Sequence, residues 1–433
     1  MTAMGIGKAT SPANMRRPVR KLLSIETHFT LEAIRERQLE HSITCKDLGG
    51  FFEHVWTVHP FATLLTSEGW GPRHGTPSSY EIAPRHTFIE GKVGRFDSLR
   101  FLFPLNFLLG QIELFRRLRR LVRSERISVV RVSSPLYEGL FGLLLARLCR
   151  IPLVVRVGAN HDKHFESTGR PIEPRLMRSR KIEKLVERFV LRRADLVAGA
   201  NQDNLDFALA SGARSERATL FRYGNLIDSR HFAEPDERPA TAEALAKWGL
   251  EPDKFLLYVG RLEPIKRPGD VLEVLKRLRG SGHDVKGVLA GDGRMRSELR
   301  DLARELGIEH AVLFAGNLAQ GDLAALYPAA AVVVSPHTGR ALTEAALGGA
   351  PVVAYDVDWQ RELIEDRVTG LLVPNGNVGR LADGAAELLG SRDHARSLGR
   401  ALRARALALF DPQELDENER RQYARLIEQG ESG

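Results

Sequence analysis

Short apolar runs alternate with stretches of helical spacing along nearly the whole chain, and the series is run through twice. The first series holds "HVWTVHPF" (His54 to Phe61), "ISVVRVSS" (Ile127 to Ser134), "LVVRVGAN" (Leu153 to Asn160), "ADLVAGAN" (Ala194 to Asn201) and "RATLFRYGN" (Arg217 to Asn225). Helical patterns such as "SPLYEGLFGLLLARLCR" and "RKIEKLVERFVLRR" separate them. After a polar, proline-bearing linker, "EPDERPATAEAL" (Glu234 to Leu245), the series restarts with "KFLLYVGRL", "VKGVLAGDG", "AVLFAGNL", "AAVVVSPH" and "APVVAYDV". Strands that are apolar on both faces must be covered on both, and strands separated by helices pair in parallel. The chain is therefore read as α/β, with two such units in sequence. Ligands of open α/β sheets gather at the carboxyl ends of the strands, and two sheets placed end to end offer a cleft between them.

The length agrees with this division. At 433 residues the chain exceeds what one core fills, and two domains of about 200 residues are expected. The boundaries fall at 1–235 and 236–410, with a tail from 411 to 433 that reads as a last helix closing back on the first domain. The first twenty residues are basic and expected to be disordered. Cys45 and Cys149 lie far apart with no CxxC neighbour, which suits a reduced, cytoplasmic protein. "FLFPLNFLLG" is too short to span a bilayer, and "GLFGLLLARLCRIPLVVRVG" is broken by Arg147, Arg150 and Pro152. The net charge of +8 suits phosphate-bearing ligands, anionic lipid surfaces or nucleic acid, and does not choose among them.

Three stretches of the second half carry chemistry. In "YVGRLEPIKRP" (Tyr258 to Pro268) a strand ends at Gly260 and is followed by Arg261 and Lys266, two cations able to clamp a diphosphate; a solvated basic turn is the plain alternative. "VLAGDGRMRSELRDLA" places Gly-Asp-Gly between strand and helix, either as an ordinary turn or as a ligand loop, and lacks the third glycine and the acid of a dinucleotide fingerprint. In "SPHTGRALTEAALGGAPVVAYDV", Ser335 or Thr338 is placed to cap a helix starting near Gly339. The backbone N–H groups of Gly339, Arg340 and Ala341 would then favour a diphosphate. Glu344, one turn on, is suited to accept hydrogen bonds from the hydroxyls of a ribose, or else simply to stabilise the helix dipole. Taken with Arg261 and Lys266, the ligand reading is the stronger.

These stretches, with "LAALYPAAAVVVSP" and "ELIEDRVTGLLVPNGN", resemble in order and spacing the family 4 glycosyltransferases, retaining enzymes of the GT-B fold, in which two Rossmann-like domains face each other across a cleft. The resemblance implies a nucleotide-sugar donor, UDP- or GDP-linked, held by the second domain. Arg261 and Lys266 would grip its diphosphate, backbone from Gly339 through Arg340 and Ala341 to Leu342 would meet the β-phosphate, Leu318 would sit beside the base, and Glu344 would bind the ribose. It implies no metal and no further cofactor, the acceptor being a sugar, a lipid-linked group or a small molecule. The family's earlier glutamate, which faces the donor sugar, is replaced here by Pro336, with His337, Thr338 or Arg340 as stand-ins.

The first half is less similar. "KDLGGFFEHV" resembles the family's Gly-Gly loop, which brings Gly49 and Gly50 to the donor phosphates, and "RVGANHDKHFE" offers His161, with Asp162 and His164 beside it, as the histidine near the reacting sugar. "YGNLIDSRHF" looks like the segment leading out of the first domain. Two other classes stay open: a catalytically silent nucleotide-sugar scaffold, suggested by Pro336, and a peripheral binder of anionic membrane, suggested by the basic amphipathic "ELFRRLRRLVRSER" (Glu113 to Arg126). That stretch reads equally as a solvated helix face, and its sparse aromatics argue against nucleic acid.

Overall fold

The computed structural model describes residues 19–36, 39–67, 69–234, 241–337 and 339–431. Most of the basic leader expected to be disordered, the centre of the linker (235–240) and Thr338 lie outside the described residues.

In the N-terminal half the strands are β1 (Lys21–Ile25), β2 (His54–His59), β3 (Ser78–Ala83), β4 (His86–Glu90), β5 (Val129–Val132), β6 (Leu153–Val157), β7 (Leu196–Gly199) and β8 (Ala218–Leu220). The helices among them are α1 (Leu31–Glu36), α2 (His41–Thr44), α3 (Phe103–Ser124), α4 (Tyr137–Cys149), α5 (His161–Thr168), α6 (Arg180–Leu191) and α7 (Gln202–Ala210). One sheet of order β3-β4-β2-β1-β5-β6-β7-β8 results. All its pairings are parallel except that of the edge hairpin β3–β4, whose half-exposed strand gives no continuous apolar run.

In the C-terminal half α8 (Thr241–Lys247) leads into β9 (Phe255–Val259), α9 (Pro268–Gly280), β10 (Lys286–Ala290), α10 (Arg296–Glu305), β11 (Val312–Gly316), α11 (Gln320–Ala329) and β12 (Val332–Ser335). Then follow α12 (Arg340–Leu347), β13 (Val352–Asp356), α13 (Gln360–Leu363), β14 (Leu371–Pro374), α14 (Val378–Gly390), α15 (Arg392–Phe410) and α16 (Pro412–Glu431). These strands form an all-parallel sheet of order β11-β10-β9-β12-β13-β14.

Alternate residues of each strand point to opposite faces, so each sheet builds two cores. In the C-terminal sheet Phe255 and Leu257 pack with α11, α12 and α15, while Leu256 and Tyr258 pack with α9, α10 and α14. In the N-terminal sheet Leu23, Val130 and Val155 face α3, α4 and α6. The opposite face, through Leu22, Val129 and Val154, is closed by Tyr423, Leu426 and Ile427 of the tail helix α16.

The Gly-Asp-Gly turn after β10 serves packing. A Cβ on Gly291, whose φ is +141°, would lie 1.9 Å from the Gly260 carbonyl oxygen, and one on Gly293 would lie 2.5 Å from the Leu262 oxygen. Asp292 is engaged by Arg296 at 3.2 Å. Glycines here let this turn press against the turn that carries Arg261. Gly291→Ala is expected to cost at least about 2 kcal/mol, since backbone must move and φ is unfavourable. Gly269→Ala, in α9, where the added carbon would make an ordinary 3.6 Å contact with Leu302 of α10, is the control that should not destabilise. Calorimetric melting of both variants checks this.

Candidate functional site

In the C-terminal sheet the winding reverses between β9 and β12, so the loops leaving these two strands diverge and open a crevice at their carboxyl ends. One loop carries Arg261 and Lys266; the other, with Pro336, His337 and Gly339, leads toward α12. Chain topology thus joins two segments that are far apart in sequence. The Lys266 ammonium nitrogen lies 3.2 Å from His337 Nδ1, and a Cβ built on Gly339 would lie 3.7 Å from it. Burial, and then the charge of Arg261, push the Lys266 pKa down to about 8, with Asp358 opposing. Lys266 is therefore held partly desolvated within the field of the exposed Arg261, an arrangement that an anion relieves.

Gly339 precedes α12 in extended backbone and supplies no side-chain cap. Of the two caps expected from sequence, Ser335 instead donates its hydroxyl to the His337 carbonyl oxygen at 3.3 Å, and Thr338 lies outside the described residues. At the start of α12 the N–H groups of Arg340 and Ala341 are left to a ligand as the first of a helix, whereas that of Leu342, expected to join them, is already bonded to the Gly339 carbonyl at 3.1 Å. Glu344 is 4% exposed, and one carboxylate oxygen accepts a hydrogen bond of 3.2 Å from the Tyr327 hydroxyl on α11. Tyr327, whose pKa burial and Glu344 raise, lies in the stretch "LAALYPAAAVVVSP", but nothing in the sequence paired it with Glu344. Leu318 follows β11 at the same carboxyl edge and packs, partly buried, against the core that includes Tyr327. Pro336 is buried directly after β12.

The N-terminal domain departs from expectation. Gly49 and Gly50 sit ahead of β2, at the amino end of the strands, where φ values of +64° and +83° make a turn beneath Arg420 of α16. Arg420 Nε donates to the Leu48 carbonyl at 2.8 Å. The fold does not bring these glycines to the carboxyl-end crevice. His161, at 4% exposure, is turned into the domain: its Nδ1 lies 2.7 Å from Glu187, which also binds Arg180, and its ring packs on Phe207. It ties α5 to α6. Asp162 is likewise held by Arg180 and Lys184.

The carboxyl-end crevice of this sheet, between β1 and β5, is furnished by residues the sequence reading passed over. Glu138 accepts from Thr27 Oγ1 at 2.6 Å and from the Ser133 hydroxyl at 2.7 Å, and burial raises its pKa. His28 lies exposed beside it. The signal was present in "SIETHFT", a strand end followed by polar residues, but β1 is too short to stand out.

The two crevices face each other. Glu362, after β13, accepts from the backbone N–H groups of Gln202 at 2.7 Å and Asp203 at 3.3 Å, capping α7 of the other domain, and pairs with Arg222 at 2.6 Å. Tyr223, which donates to the Gly158 carbonyl at 3.0 Å, lies within the fields of Asp358 and Arg340.

Comparison with known proteins accords with this architecture. The family described as Glycosyl transferases group 1 matches residues 241–405, and the Glycosyl transferase 4-like domain matches residues 54–224. The alpha-D-kanosaminyltransferase of Streptomyces kanamyceticus is 28% identical over 257 residues, covering 57% of this chain and 63% of that protein. The D-inositol 3-phosphate glycosyltransferase of Nocardia farcinica is 34% identical over 227 residues, 49% of each chain. The matched stretches thus span less than two thirds of these relatives. Among solved structures, Anabaena HepE in complex with UDP superposes with a TM-score of 0.67 at 18% identity, covering 92% of this chain and 98% of that one. Sucrose-phosphate synthase from Thermosynechococcus elongatus reaches 0.71 at 20%, covering 94% and 99%. Such identities establish the fold, and the two family matches together take in most of the chain. The chain belongs to the glycosyl transferases group 1 family, with two parallel-sheet α/β domains in the GT-B arrangement.

Proposed function

We propose that this chain is a glycosyltransferase that moves a sugar from a UDP- or GDP-linked donor to a hydroxyl acceptor with retention of anomeric configuration and without a metal. The observation that carries the reading is the placing of Lys266, with the charge of Arg261 acting on it, against the start of α12 at the crevice of the C-terminal sheet. The presence of UDP in HepE, and the glycosyl-transfer activities named for the relatives, support it.

In this reading the acceptor oxygen forms its bond to the anomeric carbon on the face from which the nucleotide departs. The bond from that carbon to the β-phosphate oxygen breaks, and the acceptor proton passes to the leaving phosphate. Charge grows on the diphosphate as this happens, and Arg261, Lys266 and the N–H groups of Gly339, Arg340 and Ala341 stabilise it. They supply the positive charge that a metal would otherwise bring. Glu344, oriented by Tyr327, accepts from the ribose. With Pro336 in place of the family's earlier glutamate, His337 beside Lys266 is the group that meets the donor sugar.

Melting shifts over a panel of nucleotide sugars test the donor, because a ligand that binds only the folded form raises its stability. Product analysis with the donor so found tests transfer and stereochemistry. Binding without transfer or hydrolysis would leave a silent scaffold instead. Arg261→Ala and Lys266→Ala are each expected to lower turnover by more than about tenfold, the usual result of removing a fixed donor to transition-state charge. Near-normal kinetics in both would refute their assignment. Affinity for UDP, read by calorimetry, should hold below a pH of about 8 and weaken as the pH rises through it. The binding form of Lys266 is the protonated one, and its lowered pKa makes it lose that proton early. Lys266→Arg should remove the dependence, since a guanidinium stays charged.

A further inference from the structure

Helices α3, α4 and α6 lie side by side on one face of the N-terminal sheet, with their inner flanks in the core that holds Leu118, Leu145 and Val190. Their outer flank is apolar as well. Of the seventeen large apolar side chains exposed among the described residues, twelve lie on these three helices or on the loop entering α3. Phe101 is 84% exposed, Leu185 70%, and Leu105 and Leu108 are 49% and 55%. Single exposed apolar residues need no explanation, but this many on one face mark a contact surface.

The exposed charges of the three helices are of one sign; Glu113 of α3 is half-buried beside Arg95, and the exposed Asp97 in the loop before α3 is paired with His74. The carboxylates of α4 and α6, Glu138, Glu183 and Glu187, are turned inward and buried, while Arg116, Arg120, Lys181 and Arg188 stand exposed. A second copy of the chain would press these cations against their own kind. An anionic bilayer accepts both the apolar flank and the cations. No helix among the described residues is long and apolar enough to cross a membrane, so the contact lies in the interface plane.

We propose that the α3–α4–α6 face docks the protein onto an anionic lipid bilayer, with the tip at the start of α3 (Phe101 to Leu108) inserted. Both α3 and α4 begin at the carboxyl edge of the sheet, and an aromatic series connects that tip to the cleft rim. Phe103 and Phe107 lie 6.0 Å apart, Phe107 and Tyr137 6.3 Å, and Phe61 and Tyr137 5.5 Å. Docking therefore sets the rim of the cleft at the boundary of water and lipid. If the transferase reading holds, an acceptor hydroxyl on a lipid anchor would meet the donor there; the docking itself does not depend on that reading.

The test is co-sedimentation of the full chain with phosphatidylcholine vesicles and with vesicles that also contain phosphatidylglycerol. Binding to the anionic vesicles, weakened by salt, is expected. The triple variant Phe101→Ser, Leu105→Ser, Leu108→Ser should lower partitioning by at least about tenfold, since each apolar side chain withdrawn from lipid is costly. The pair Arg116→Glu, Arg120→Glu should abolish the preference for anionic vesicles. Val368→Ser, an exposed apolar site in the other domain, should change nothing. All these residues are exposed, so an unchanged melting temperature separates lost docking from lost folding. Failure to sediment with anionic vesicles at low salt, or equal binding to neutral and anionic ones, would overturn the proposal. So would a dimer in light scattering that the triple variant dissociates, which would assign the face to a second copy.

Discussion

Arg261 and Lys266 repel each other, and the C-terminal domain holds them together regardless. Neither is placed by its own turn alone. The Tyr258 hydroxyl donates to the Arg261 carbonyl at 3.0 Å, the glycines after β10 wedge that turn from behind, and His337 from the β12 loop meets Lys266. The repulsion and the partial burial are borne by packing elsewhere in the domain, and a bound diphosphate would release them. A site of this kind is prepared before its ligand arrives, because little must reorganise when charge develops.

The N-terminal domain resolves its buried charges differently. Beneath its sheet, on the face that α16 covers, Lys46 pairs with Glu26 at 2.7 Å and Arg131 with Glu419 of α16 at 3.6 Å. Burial alone would lower the Lys46 pKa and raise that of Glu26; each is opposed by the other's charge. Removing one member of such a pair strands the other in the interior, so the Arg131–Glu419 pair fixes which surface the tail helix lies on more than it adds stability. The tail is a part of the first domain's core that arrives last in sequence.

What sequence revealed follows from how local each feature is. The strands buried on both faces, β5 to β7, β9, β10, β12 and β13, announce themselves as apolar runs between helical patterns, and so does the half-buried edge strand β11. β1 did not, because Lys21 and Ser24 interrupt five residues, and neither did β3, whose edge position leaves alternate residues half-exposed. In the site, Arg261, Lys266, Gly339 and Glu344 were legible because strand end, cation and helix start are neighbours along the chain. Gly49 and Gly50 misled because a glycine pair indicates a turn without telling which end of the sheet it lies on. His161 follows a strand end as expected, but Glu187 and Arg180, on another helix, decide where its ring points. Tyr327 behind Glu344, and Glu138 with His28 across the cleft, are brought together by tertiary packing alone.

The chain passes between its domains twice, once after β8 and once between α15 and α16, and the two passages touch: a Cβ on Gly224 would lie 2.5 Å from the Phe410 carbonyl oxygen. Two adjacent straps resist twisting and sliding far better than one, while a swing about the line that joins them is barely opposed. The domains are thus left a single easy degree of freedom, like a cover on its spine, and the Glu362 carboxylate at the amino end of α7 is the clasp that would have to part each time it swings.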